Sequence, residues 1–66
     1  MATRREILNL ITKAIEPMYG VEESRQIAEM IILAKGNISR NDLIIEPNKE
    51  LVIEELEVII EELQKW

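Results

Sequence analysis

Sixty-six residues make one domain at most, and a chain of this size buries only about 60% of the surface its unfolded form exposes, which excludes a deep enclosed cavity beside the core. No cysteine and no histidine occur; this excludes disulfides, thiolate nucleophiles, zinc sites of the usual ligand types and any side chain that titrates naturally near neutral pH, and it fits a reducing, cytoplasmic setting. Thirteen acidic against eight basic residues give a net charge of −5, a field that repels nucleic acid and anionic lipid.

Membrane and export readings fail on the same sequence. The apolar run Met30–Leu33 falls far short of the roughly 20 residues a spanning helix requires. Met1-Ala2-Thr3-Arg4-Arg5 leads into a segment with polar interruptions, unlike an apolar signal core.

The first segment opens with Thr3-x-x-Glu6, a capping box in which each residue satisfies a backbone donor of the other. Ile7, Leu8, Ile11, Ala14 and Ile15 follow at helical spacing, and Pro17 with Gly20 closes the segment. A helix is expected over about 3–16. The second segment begins with Glu22 and Glu23, whose charge suits the positive end of a helix dipole, and carries Ile27, Met30, Ile31 and Ala34 inward. Gly36 is its expected C-cap. Ile32 and Leu33 widen the apolar arc, so this helix, about 21–35, is expected to sit centrally.

Ser39-Arg40-Asn41-Asp42 is a second capping signal ahead of Leu43, Ile44 and Ile45, and Pro47 follows. A short helix is expected over about 39–45. In the last segment Ile53, Leu56, Ile60 and Leu63 form one line flanked by Val52 and Ile59, with glutamates on the remaining arc and Lys65 in the last turn. This predicts a helix over about 48–65. No period-two alternation suggests a strand. The fold class is therefore all-α: one domain over 1–66, a compact, irregular bundle of four helices with a short third one, and not a long coiled coil.

Catalytic equipment is scarce. Gly20 and Gly36 stand too far apart for a phosphate-cradling loop, and Ser24 and Ser39 have no histidine to activate them. The glutamates lack the spacing of a calcium loop and read as a solvated face. No catalytic, cofactor or metal residue is expected in this chain. The candidates for partner binding are Arg4 and Arg5, which could grip an anionic surface, and the ridge Glu54, Glu57 and Glu61, although acidic helix faces ordinarily serve solubility.

Across the second and third segments, Glu23-Ser24-Arg25-Gln26-Ile27-Ala28-Glu29 leads to an apolar helix, Gly36, and then Ile38-Ser39-Arg40-Asn41-Asp42-Leu43-Ile44-Ile45. Glu50-Leu51 and a glutamate-rich helix follow. This order resembles the N-terminal helical domain of the HemK family, methyltransferases that modify a glutamine of peptide-chain release factors with S-adenosylmethionine. The resemblance is clearest from Val21 to Leu63. Asn41 stands where threonine is common, and Val52-Ile53 replaces a polar Ser-Glu start of the last helix, which implies an earlier beginning for that helix here. The chain reaches Trp66 ahead of the family's connecting segment, its glycine-rich cofactor loop and its Asn-Pro-Pro-Tyr motif. What the resemblance implies is a non-catalytic, monomeric recruiting domain whose partners are a release factor and a catalytic methyltransferase domain absent from this chain, with S-adenosylmethionine bound there. The alternative is a free-standing or engineered helical module that self-associates through apolar residues such as Ile32, Leu33, Val52 or Trp66.

Overall fold

A computed structural model describes residues 2–65 of the chain. Four helices follow in order, α1 (Arg4–Tyr19), α2 (Val21–Gly36), α3 (Arg40–Ile45) and α4 (Leu56–Gln64). The expected all-α class is what the chain adopts.

The capping box closes the start of α1 as its residues dictate: the Glu6 amide donates to Thr3 Oγ1 at 3.1 Å, and the Thr3 amide donates to Glu6 Oε1 at 2.9 Å. Pro17 does not end this helix, which continues through it to Tyr19. A proline in the last turn removes one ladder bond but leaves little helix beyond it to break. Termination falls to Gly20, whose φ of +84° is open only to a residue without a Cβ. Gly20 is also the sole residue between α1 and α2, donating back to Glu16 O at 2.8 Å and accepting from the Ser24 amide at 3.1 Å.

One i, i+4 ridge from each of the first two helices builds the core. Ile7, Ile11 and Ile15 on α1 meet Ala28 and Ile32 on α2, with Leu43, Leu51 and Ile53 completing the cluster. The face of α2 that is fully buried is Ser24, Ala28 and Ile32. The expected inward set Ile27, Met30, Ile31 and Ala34 is thus corrected in half of its members, since Ile27 and Ile31 do pack against the cluster. Ile27 and Ile31 are half-buried, while Met30 is 68% exposed and Ala34 is also exposed. Small residues let two helix backbones approach, and ridges of the i±4 type interdigitate best where one side is small. Nor is α2 the central element, because α1 is the helix in substantial contact with both α2 and α4.

The end of α2 carries a second correction. Gly36 is the last helical residue, and the cap is Asn37 in the left-handed region at φ +54°, its amide donating to Leu33 O. A Cβ on Gly36 would stand 2.9 Å from Leu51 Cδ1 and would displace the tip of that side chain, so glycine serves close packing there and not a positive φ. In α3 the reciprocal box is complete: the Asp42 amide donates to Ser39 Oγ at 3.1 Å and the Ser39 amide to Asp42 Oδ2 at 3.0 Å.

The largest departure concerns the final helix, expected over 48–65 and observed only over Leu56–Gln64. Residues 47–51 run antiparallel to the N-terminus instead. The Arg4 amide donates to Lys49 O, the Arg5 amide to Pro47 O and the Leu51 amide to Ala2 O, each at 2.9 Å, around an isolated Thr3–Glu50 bridge. Leu51 and Ile53 turn inward while Val52 stays 74% exposed, a three-residue alternation that the sequence reading did not register. Glu55 at φ +59° then redirects the chain into α4.

The end of α4 is tethered to α1 by two side chains. Tyr19 Oη donates to Leu63 O and Gln64 Nε2 donates to Ala14 O, both at 2.9 Å.

Candidate docking surface

Arg4 and Arg5 do not form the exposed basic pair expected of them. Arg4 is 7% exposed, and its Nη1 donates to Asp42 O at 3.0 Å and Glu46 O at 3.3 Å. Those carbonyls lie at the C-terminal end of α3, where the negative end of the dipole favours a cation. Arg4 therefore anchors α3 to α1 and is not available to a partner, which corrects its candidacy. Arg5 is exposed and forms no ion pair among the described residues.

The acidic ridge is also only partly assembled. Glu57 and Glu61 lie one turn apart on α4 and are exposed. Glu54 is exposed too, but it sits in the turn before α4, and the left-handed Glu55 takes it out of helical register with the other two. Glu55 and Glu62 are exposed as well, and Glu62 pairs with Lys65 at 3.7 Å. The result is a broad acidic flank and not a single line.

Of the residues named for self-association, Ile32 is fully buried in the core and drops out. Leu33 is half-buried, Val52 is exposed, and Trp66 lies outside the described residues. Sequence reading singled out neither Ile44 nor Ile45 as surface residues, yet they are 68% and 75% exposed, because the short α3 turns only Leu43 fully into the core.

Opposite in character to the acidic flank is a groove of about 430 Å³ between α1, the start of α2 and α3. Arg5, Leu8 and Thr12 form one wall, Val21 and Arg25 a second, and Ile44 closes it with Leu43 below. In the sequence Arg25 is one residue of the longer stretch Glu23 to Glu29. Nothing local marks it as a groove residue, because the wall it faces is built about 20 positions away in the chain. A shallower hollow between α1 and α4 carries Leu10 and Ile60 with Glu6, Lys13 and Glu57, so its charges are mixed.

Among the described residues, no group of three acidic, histidine or cysteine side chains is placed to hold a metal ion, and no helix is long and apolar enough to cross a membrane. Two carboxyls have displaced acidities. Glu6 is held below its ordinary value by the Thr3 amide and then the Thr3 hydroxyl, and Asp42 likewise by the Ser39 amide and then the Ser39 hydroxyl. Both are helix caps, so these shifts report local structure and not a reactive centre. Comparison of the chain with protein-family models, with curated proteins and with solved structures finds no match.

Proposed function

We propose that this chain is a recruiting domain that docks a peptide-chain release factor for a protein-glutamine methyltransferase, the methyl donor S-adenosylmethionine being held by a catalytic domain outside these residues. One observation carries the reading. The order Arg25-Gln26-Ile27-Ala28, Gly36, Ser39-Arg40-Asn41-Asp42-Leu43 and then a glutamate-rich helix resembles the N-terminal domain of the HemK family. A capped helical scaffold with surfaces of distinct charge suits such a role, because charge complementarity contributes orientation and association rate more than raw affinity. The setting would be cytoplasmic, and binding would be weak, as suits a docking domain whose contacts serve orientation more than affinity.

Titration of the ¹⁵N-labelled chain with a release factor at low salt tests this directly. The expected result is a set of saturable amide shifts, with an affinity in the range of tens of micromolar or weaker. Absence of any shift with the release factor in large excess rejects the reading.

A second reading, self-association of a free-standing or engineered helical module, draws on the exposure of Ile45 at 75% and Val52 at 74%. Sedimentation over a concentration series separates the two. A monomer throughout dismisses self-association, and a dimer supports it.

A further inference from the structure

The groove between α1, the start of α2 and α3 combines two features that rarely coincide on an acidic protein. Its floor and one edge are apolar, with Val21 63% and Ile44 68% exposed and Leu8 between them. Both of its charged lining residues are arginines, Arg5 and Arg25, and no carboxylate lines it. The chain as a whole carries net −5, so the charge lining this groove is opposite in sign to that of the chain. Arg25 does contact Glu29 at 3.8 Å, but the Arg25 side chain is 69% exposed, and a pair with one largely exposed partner is worth so little that an incoming carboxylate competes.

We infer that this groove binds an acidic amphipathic segment of a partner protein, whose apolar side chains cover Val21 and Ile44 while its carboxylates meet Arg5 and Arg25. From Arg5 to Thr12 the wall of α1 is about 10 Å long, which accommodates roughly two helical turns. Both guanidiniums present planar donor forks that match carboxylates, and they flank the apolar centre as rim charges do in a hydrophobic groove filled by an amphipathic helix. The Asn9 side chain, also at the groove, adds an amide able to meet polar backbone of the guest.

A second copy of this chain is the poorer occupant. Its acidic helix α4 exposes one large apolar residue, Val58, and so cannot cover Val21 and Ile44 together. The inference concerns the chemistry of the groove and stands whether or not the partner is a release factor.

The test uses the whole chain, ¹⁵N-labelled, and a capped peptide of about three turns with leucines at i, i+3 and i+7 and glutamates elsewhere. Two comparison peptides carry lysine in place of glutamate, or the same composition scrambled. Saturable shifts centred on Arg5, Thr12, Val21, Arg25 and Ile44 are expected with the acidic amphipathic peptide alone. The double variant Arg5→Glu/Arg25→Glu should weaken binding at least about tenfold. Ile44→Gln, at a solvent-exposed position, should weaken it by a smaller factor, with far-UV circular dichroism unchanged in both variants. Equal binding of the lysine peptide, shifts centred elsewhere, or undiminished affinity in the double variant would overturn the inference. So would groove shifts that grow with protein concentration in the absence of peptide, since a second copy would then be the occupant.

Discussion

Arg4 and Arg5 are adjacent in sequence, yet one carries structure and the other surface. The Arg4 guanidinium bonds the last carbonyls of α3, and each hydrogen bond to a charged group contributes about 1.5–3 kcal/mol. Both carbonyls keep a second donor, from the Glu46 and Lys49 amides, and Arg4 Nε is buried without a partner, so part of that gain is offset. Arg4→Met should therefore cost about 2 kcal/mol in urea denaturation, whereas exposed Arg5→Met should stay within about 0.5 kcal/mol. Equal effects would mean that Arg4 is not the anchor of α3. Ser24 presents the reverse case. It is fully buried, and its Oγ has no partner, a state that costs about 1–3 kcal/mol, while alanine is also the better helix former. Ser24→Ala is expected to raise stability by about 1 kcal/mol once the small loss of contact is deducted. The sequence reading weighed this serine only as a nucleophile and overlooked it as core, because a polar residue does not register in an apolar stripe.

At the scale of elements, legibility followed the range of the interactions. The caps of α1 and α3 are four-residue devices, and both were readable from Thr3-x-x-Glu6 and Ser39-x-x-Asp42 alone. The start of α4 was not. Ile53 sits three positions before Leu56, so it satisfied a helical period although it lies outside the helix. What decides its conformation is the antiparallel run of residues 47–51 along the N-terminus, a contact across more than 40 positions. The groove arises in the same non-local way, which is why nothing in the sequence around Arg25 places it beside Arg5. The caps themselves have a pH signature. Hydrogen bonds from Thr3 and Ser39 lower the Glu6 and Asp42 pKa in the folded state, so the unfolded chain takes up protons first as pH falls. Their contribution is present above the ordinary carboxylate pKa of about 4 and is lost as pH drops through the lower folded values. Urea midpoints measured from pH about 6 down to about 3 should fall, and the double variant Glu6→Gln/Asp42→Asn should show a flatter decline over that window. Parallel curves would exclude the caps as the source.

For the molecule as a whole, the relevant comparison is between its size and the reach of its charges. The longest dimension is 30 Å, and at about 0.01 M ionic strength the Debye length is also about 30 Å, so every carboxylate acts on every other. At about 0.15 M that reach shrinks to about 8 Å, and only neighbours interact. Screening weakens two opposing effects. The attractive one is small, since the three ion pairs among the described residues involve Arg25 or Arg40 with Glu29, or Lys65 with Glu62, each with at least one largely exposed partner, and pairs of this kind contribute about 0–1 kcal/mol. The repulsive one comes from the net charge of −5 and is concentrated where Glu54, Glu55, Glu57, Glu61 and Glu62 share one flank. Repulsion is the larger, so stability should rise by up to about 1 kcal/mol between those two salt concentrations, read as an increase in the urea midpoint at constant m-value. A fall would show that the ion pairs dominate. Docking of an acidic segment at Arg5 and Arg25 must respond with the opposite sign, because salt screens the attraction that draws it in. A single sodium chloride series that strengthens the fold while weakening the complex therefore assigns the binding to the groove's charges and not to any loosening of the bundle.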